Sequence, residues 1–234
     1  MNPLVSVVIT TKNEEDYLEA TLKSIKNQTY PNIEIIVSDA CSTDNTVKIA
    51  REYSDKVVIK KTNIAGGKNL GAKYANGEFL VFVSADTILD KNWIKNAIKQ
   101  FNKENVVLAA GYFTFHEESI HAKIYGWLWK LITFFSYKIG FFHTSGECTI
   151  MVKKSSFHSI DGFNKYLVNM EDIDFTKRMK KIGDLALEKK CRCVASARRF
   201  EKEGYIKWSI IWFVTGIWYY ITGKSFLKMY KCVR

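Results

Sequence analysis

Apolar and polar positions in the first half of the chain come in short alternating blocks. Val5 to Thr10, Ile33 to Ser38, Lys56 to Lys60, Phe79 to Val83 and Val106 to Ala110 are rich in β-branched residues and read as strands, each followed by a stretch of helical periodicity. This βαβα order predicts an α/β domain with a mostly parallel central sheet flanked by helices. Ile33-Glu34-Ile35-Ile36-Val37 and Phe79-Leu80-Val81-Phe82-Val83 are nearly continuous apolar runs, as parallel strands covered on both faces require. Right-handed crossovers bring the carboxyl ends of such strands to one edge, where ligands bind. That edge is predicted to collect Thr11 and Lys12, Asp39, Asn63 to Lys68, and Ser84 to Asp86.

The second half has a different texture. Ile120, Ile124, Trp127, Leu128, Leu131, Phe135 and Ile139 recur at helical spacing within Ser119 to Ile139, broken by Lys123, Lys130 and Lys138. A short strand at Ile150 to Val152, a helix from Glu171 to Lys181 and a basic, cysteine-containing segment follow. Trp208 to Ile221 is strongly aromatic. Its 14 residues fall short of the roughly 20 that span a bilayer, and lysines flank it at Lys207, Lys224, Lys228 and Lys231. The pattern favours a helix lying on an anionic membrane surface, though a helix buried against the sheet explains it too. The expected division is one domain over residues 1–204 and an amphipathic, aromatic and basic helical extension over 205–234.

Composition narrows the partners. The net charge of +11 favours an anionic one, and the absence of zinc-finger spacing, an RNP-like strand or a long basic run argues against nucleic acid. Five cysteines, with only Cys191 and Cys193 closely spaced, argue for a reducing compartment and against zinc. Met1 leads directly into an apolar strand without a basic leader, so a cytoplasmic location, peripheral on the cytoplasmic face of the membrane, is expected.

Four segments carry a family resemblance. Val5-Ser6-Val7-Val8-Ile9-Thr10-Thr11-Lys12-Asn13-Glu14, then Ile36-Val37-Ser38-Asp39-Ala40-Cys41-Ser42-Thr43-Asp44, then Gly67-Lys68-Asn69-Leu70-Gly71, then Phe82-Val83-Ser84-Ala85-Asp86 stand in the order of the opening motifs of family 2 glycosyltransferases. Asp161-Gly162-Phe163 and Glu171-Asp172-Ile173-Asp174 to Arg178 are similar to that family's acceptor-side motifs. The resemblance spans roughly residues 4 to 183 and implies a GT-A fold, Rossmann-like. It implies an inverting transfer of sugar from a UDP- or GDP-linked donor to a hydroxyl or phosphate acceptor, on a lipid or a glycan.

The resemblance assigns the donor side to Thr11, Asp39, Lys68, Ser84 and Asp86, with Asp39 at the base and Asp86 as ligand to Mg2+ or Mn2+ on the diphosphate. A hard cation bound through one or two carboxylates and substrate phosphates fits that chemistry. Lys68 after Gly66-Gly67 suits a phosphate approaching bare backbone. Asp172 is the expected general base, with Glu171 and Glu147 on the acceptor side. Arg198 and Arg199 are expected to clamp the diphosphate. Two departures stand out: Ala40 follows Asp39 where many members have paired aspartates, and Ser84 replaces the first acid of the metal motif. They keep open a second reading, a catalytically degenerate nucleotide-sugar-binding or membrane-associated scaffold. An ordinary strand-end turn at Asp86, or a helix start at Asn169 to Asp172, would account for those acids without catalysis.

Overall fold

The computed structural model describes residues 2–116, 119–138 and 149–226. Within them, eight strands form one sheet: β1 (Val5–Thr11), β2 (Ile33–Asp39), β3 (Lys56–Ile59), β4 (Phe79–Ser84), β5 (Thr87–Leu89), β6 (Val106–Phe115), β7 (Thr149–Lys153) and β8 (Asp184–Ala195). Their order is β3-β2-β1-β4-β7-β6-β8-β5, with β7 and β5 running against the other six. The GT-A arrangement expected from the sequence, an α/β sheet mostly parallel and flanked by helices, is therefore what the chain adopts.

Both faces are covered, as the unbroken apolar runs required. Val5, Val7 and Ile9 of β1 join Ile35, Val37, Val81 and Val83 in a core closed by α1 (Leu18–Lys26) and α4 (Trp93–Ile98). The alternate residues Val8, Ile36, Leu80 and Phe82 build the opposite core with α3 (Ile64–Lys73), α6 (Lys154–Ser159) and α7 (Glu171–Lys180). Side chains of period two thus feed two cores from one sheet. Beside β2 and β3 lies α2 (Thr46–Tyr53).

Two features were not expected. The basic, cysteine-containing segment is the longest strand, β8, because Cys191, Cys193 and Ala195 alternate inward while Arg192 stays exposed. In addition, β4 is followed by β5 rather than a helix. Only Ala85 and Asp86 separate them, while β7, β6 and β8 stand between them in the sheet. Three residue steps reach about 11 Å, and four flat strand spacings need about 19 Å. The sheet therefore curls back from β4 to its β5 edge, and Asp86 lies in the short link that joins those two strands.

The remaining helices are α5 (Ile120–Lys138), α8 (Arg198–Glu203) and α9 (Tyr205–Thr222). Their packing inverts the usual rule. Helix α5 buries Ala122, Gly126, Thr133 and Ser136 while exposing Ile124, Trp127, Ile132 and Phe135. Helix α9 buries Trp208, Thr215 and Tyr219 while Phe213 is 70% and Ile221 78% exposed. The two meet through Trp129 and Trp212, ring centroids 5.5 Å apart, and through Tyr125 and Ser209, whose hydroxyls are 2.8 Å apart. Among the described residues, no helix is long and apolar enough to cross a membrane.

Candidate active site

The carboxyl ends of β1 and β2 are laced into one rim. Thr11 Oγ1 donates to Asp39 Oδ2 at 2.8 Å, a pairing fixed by the parallel register that sets Thr11 opposite Asp39. The Ser42 amide and hydroxyl complete the aspartate's shell at 2.7 and 2.5 Å, and Asp39 is fully buried. Its carboxylate thus braces the turn that follows β2. Asn13, in left-handed conformation, accepts from the Thr43 amide at 2.8 Å, and the Glu14 amide donates to Thr46 Oγ1 at 2.7 Å. Lys12 Nζ donates to the Cys41 carbonyl.

The curl of the sheet assembles a second group around Asp86. Pairing of Thr87 with Ala195 brings Ser196 beside Asp86, and the Ser196 amide donates to the Asp86 carbonyl at 3.2 Å. Two residues later, Arg198 Nη2 stands 2.7 and 2.6 Å from the Glu14 carboxylate oxygens and 3.3 Å from Asp86 Oδ2. Its guanidinium lies over the Tyr17 ring at 4.5 Å. Burial pushes the Glu14 carboxyl up to about 7; Arg198 opposes that shift, and the charges of Asp86 and Asp44 add to it. The hard oxygen donors here suit a divalent cation, and a guanidinium already acts as their positive counterpart. Among the described residues no cluster of three or more His, Cys, Asp or Glu side chains could hold a metal. Any cation at Asp86 would therefore need oxygens from the donor, as Mg2+ commonly does.

A third group forms at the start of α7. Lys68, buried in α3, makes an ion pair with Glu171 Oε1 at 3.0 Å and lies 4.8 Å over the Phe163 ring. The Asn69 side chain fixes that ring's backbone from both sides, donating to the Phe163 carbonyl at 2.7 Å and accepting from its amide at 2.8 Å. Gly162 has φ +65°, and a Cβ there would fall 2.6 Å from Asn69 Oδ1, so this turn requires glycine. Asp172 keeps part of its surface open to solvent, while the surrounding protein and the Glu171 charge push its carboxyl up to about 6, against the pull of Lys68. A carboxylate so placed can take a proton near neutral pH.

Ser84 is half-buried at the end of β4, opposite Thr10 of β1. Arg199 stacks on Trp208 at 4.8 Å, on the aromatic cluster of α8 and α9. Glu147 lies outside the described residues. The structure groups Lys68 with Glu171, and the glycine just before it has a packing reason of its own. The space a Cβ would take at Gly67 is filled by Thr10 Cγ2 at 2.9 Å, so this glycine lets α3 press on β1. Glu14 and Tyr17 had no assigned role in the sequence. The signals for Glu14 were its place just past the first strand and at the end of the first motif of the family resemblance.

The family model for glycosyl transferase family 2 matches residues 6–158. Poly(ribitol-phosphate) beta-N-acetylglucosaminyltransferase TarS of Staphylococcus aureus is 39% identical over 101 residues, covering 39% of this chain and 18% of that protein. The Escherichia coli UDP-Glc:alpha-D-GlcNAc-diphosphoundecaprenol beta-1,3-glucosyltransferase WfgD is 34% identical over 113 residues, covering 46% of this chain and 45% of that one. Among solved structures, the Pyrobaculum calidifontis mannosyltransferase PcManGT in complex with GDP-Man and Mn2+ superposes with a TM-score of 0.67 at 20% identity. That match covers 90% of this chain and 61% of the other. The chain thus spans less than half the length of these curated relatives.

Proposed function

The chain belongs to glycosyl transferase family 2, and on that premise we propose that it is an inverting, metal-dependent glycosyltransferase using a UDP- or GDP-linked sugar. The observation that carries this reading is the Lys68–Glu171–Asp172 group, in which one acid is held by the buried lysine and its neighbour is raised to about 6. Asp172 takes the proton of the acceptor hydroxyl as that oxygen attacks the anomeric carbon and the bond to the diphosphate breaks. Asp86 holds the divalent cation, Mg2+ or Mn2+, which when bound neutralises charge on the departing diphosphate. Arg198 is within reach of the same charge. Opposite-face attack gives a product of inverted anomeric configuration. A transfer assay on Asp172→Asn and Asp86→Ala, with the product anomer read by NMR, tests this. Full activity in both variants, or a retained anomer, would sink it.

The acceptor in this proposal is lipid-linked, and the enzyme works as a peripheral protein on the cytoplasmic face of an anionic membrane. The outward Trp127, Phe135, Phe213 and Ile217 of α5 and α9 supply the apolar area, and exposed Lys123, Lys130 and Lys224 supply charge complementary to the lipid head groups. Flotation with vesicles that contain or lack phosphatidylglycerol tests the surface. Equal recovery with both would remove the electrostatic part, and no recovery would remove the membrane.

A further inference from the structure

Three carboxylate oxygens from two strand ends converge on a single nitrogen. Arg198 Nη2 takes both Glu14 oxygens at 2.7 and 2.6 Å and Asp86 Oδ2 at 3.3 Å, so one atom of a cation already occupies the point these acids share. To reach the roughly 2.1 Å of a Mg2+ ligand, the Glu14 oxygens would close by about 0.5 Å and the Asp86 oxygen by about 1.2 Å. A metal ion and a guanidinium cannot occupy that point together. Arg198 is held there by side-chain contacts alone, the two carboxylates and the Tyr17 ring, so a rotation of its own side chain vacates the position.

We propose that Arg198 is an exchangeable plug in the cation position, and that the metal, once admitted, is held by Glu14 as well as Asp86. This rests on the donor chemistry proposed above. The donor diphosphate supplies what the exchange lacks: oxygens to complete the metal's shell, and an anion onto which the displaced guanidinium folds as a bidentate partner. Metal and nucleotide therefore enter together, and the donor-free protein keeps its acids neutralised by its own arginine. Arg198 acts twice, as guard of the cation position and then as clamp on the leaving group.

The test is a Mn2+ titration of the full chain without nucleotide, read by the EPR signal of free Mn2+. Arg198→Gln is expected to bind Mn2+ at least tenfold more tightly than wild type, and Arg198→Lys, which keeps the charge, to stay within about twofold of it. Adding Glu14→Gln to Arg198→Gln is expected to abolish the gain. An Arg198→Gln protein that binds Mn2+ no better than wild type overturns the plug, and a gain that survives Glu14→Gln overturns the second ligand. Should Arg198→Gln fail to fold, Tyr17→Leu decides, since it loosens the plug and spares both acids. A severalfold gain supports the exchange and no change overturns it. Wild-type protein that binds neither UDP nor GDP with Mn2+ would sink the donor reading itself; intact metal-dependent nucleotide binding with no donor-free gain overturns only the plug.

Discussion

Two clusters on this molecule have the same formula, two carboxylates and one fixed cation, and differ in how the cation is shared. At the rim of the curled sheet, Arg198 grips Glu14 with both oxygens and reaches Asp86 at 3.3 Å, with the side chains 11 to 21% exposed. At the start of α7, Lys68 is committed to Glu171, at 3.0 Å in a nearly dry setting, and Asp172 beside it is pushed up to about 6. At the rim the cation is tightest on Glu14 and longer to Asp86, and at α7 it pairs with Glu171 while its charge also acts on Asp172. The wetter pair is built to open and the drier pair to stay shut. Arginine suits the first because its planar fork can change anionic partners without losing charge, and lysine the second because a compact ammonium fits a closed pocket.

The largest effect expected from breaking this symmetry is at Asp172. Asp172→Asn should lower kcat by about 10²–10⁴-fold, the range of a positioned general base. The same change should leave the protein at least as stable at pH 7, because it removes a carboxylate whose charged form the fold disfavours. Steady-state rates and a thermal melt together separate this from a folding defect. Next comes Lys68→Met, which strands Glu171 in the interior without its partner and should cost about 3–5 kcal/mol in urea unfolding. Adding Glu171→Gln should restore most of that. Arg198→Gln, where both acids keep some water, should cost clearly less than Lys68→Met in the same measurement.

Much of this arrangement was legible in the chain, for identifiable reasons. The first four strands, α7 and α9 appeared within a few residues of their observed limits because unbroken β-branched runs and helical periodicity are local signals. Strand β8 was missed because Lys189, Lys190 and Arg192 interrupt the hydrophobicity that Cys191, Cys193 and Ala195 carry inward. The curl was invisible for a different reason. It depends on Thr87 pairing with Ala195, a contact between distant segments, and without it nothing in the sequence joins Glu14 to Arg198. Lys68 and Glu171 were both singled out, yet to opposite sides of the site, because their pairing is equally long-range. The inward Thr133, Ser136 and Thr215 of α5 and α9 show a further limit: periodicity identifies an apolar face without saying which way it looks.

The two clusters should also separate by pH. For Asp172 the folded value, about 6, lies above the ordinary value of 3.8, so the native state holds the proton more tightly than the unfolded chain between those limits. Stability should therefore fall as pH rises from about 4 to 6 and then level off, by an amount of the order of 3 kcal/mol. Glu14, raised from 4.5 to about 7, acts with the same sign in a window that extends higher. In melts recorded from pH 4 to 8, Asp172→Asn should flatten the lower part of the slope and Glu14→Gln the upper part. Identical profiles would mean that the two groups do not differ as their surroundings require.

The smallest effect tests whether α9 belongs to the acceptor cluster. Tyr219 donates to Asp174 Oδ1 at 2.7 Å, and Asp174 also receives Arg178 Nε at 2.7 Å, whose Nη1 holds the Ile160 carbonyl just before the Asp161-Gly162-Phe163 turn. The same helix end is tied to the loop before α7, where Ser225 Oγ accepts from the Val168 amide at 2.8 Å. Tyr219→Phe removes one hydroxyl from this chain of bonds and should cost about 1–2 kcal/mol, since it leaves one oxygen of a buried carboxylate short of a donor. Because Asp172 is two residues from Asp174, the change should reduce kcat severalfold while Mn2+-dependent nucleotide binding, organised at the other cluster, stays as it was. A loss of nucleotide binding in Tyr219→Phe would show that α9 braces both clusters, and would erase the division between the one that opens and the one that stays shut.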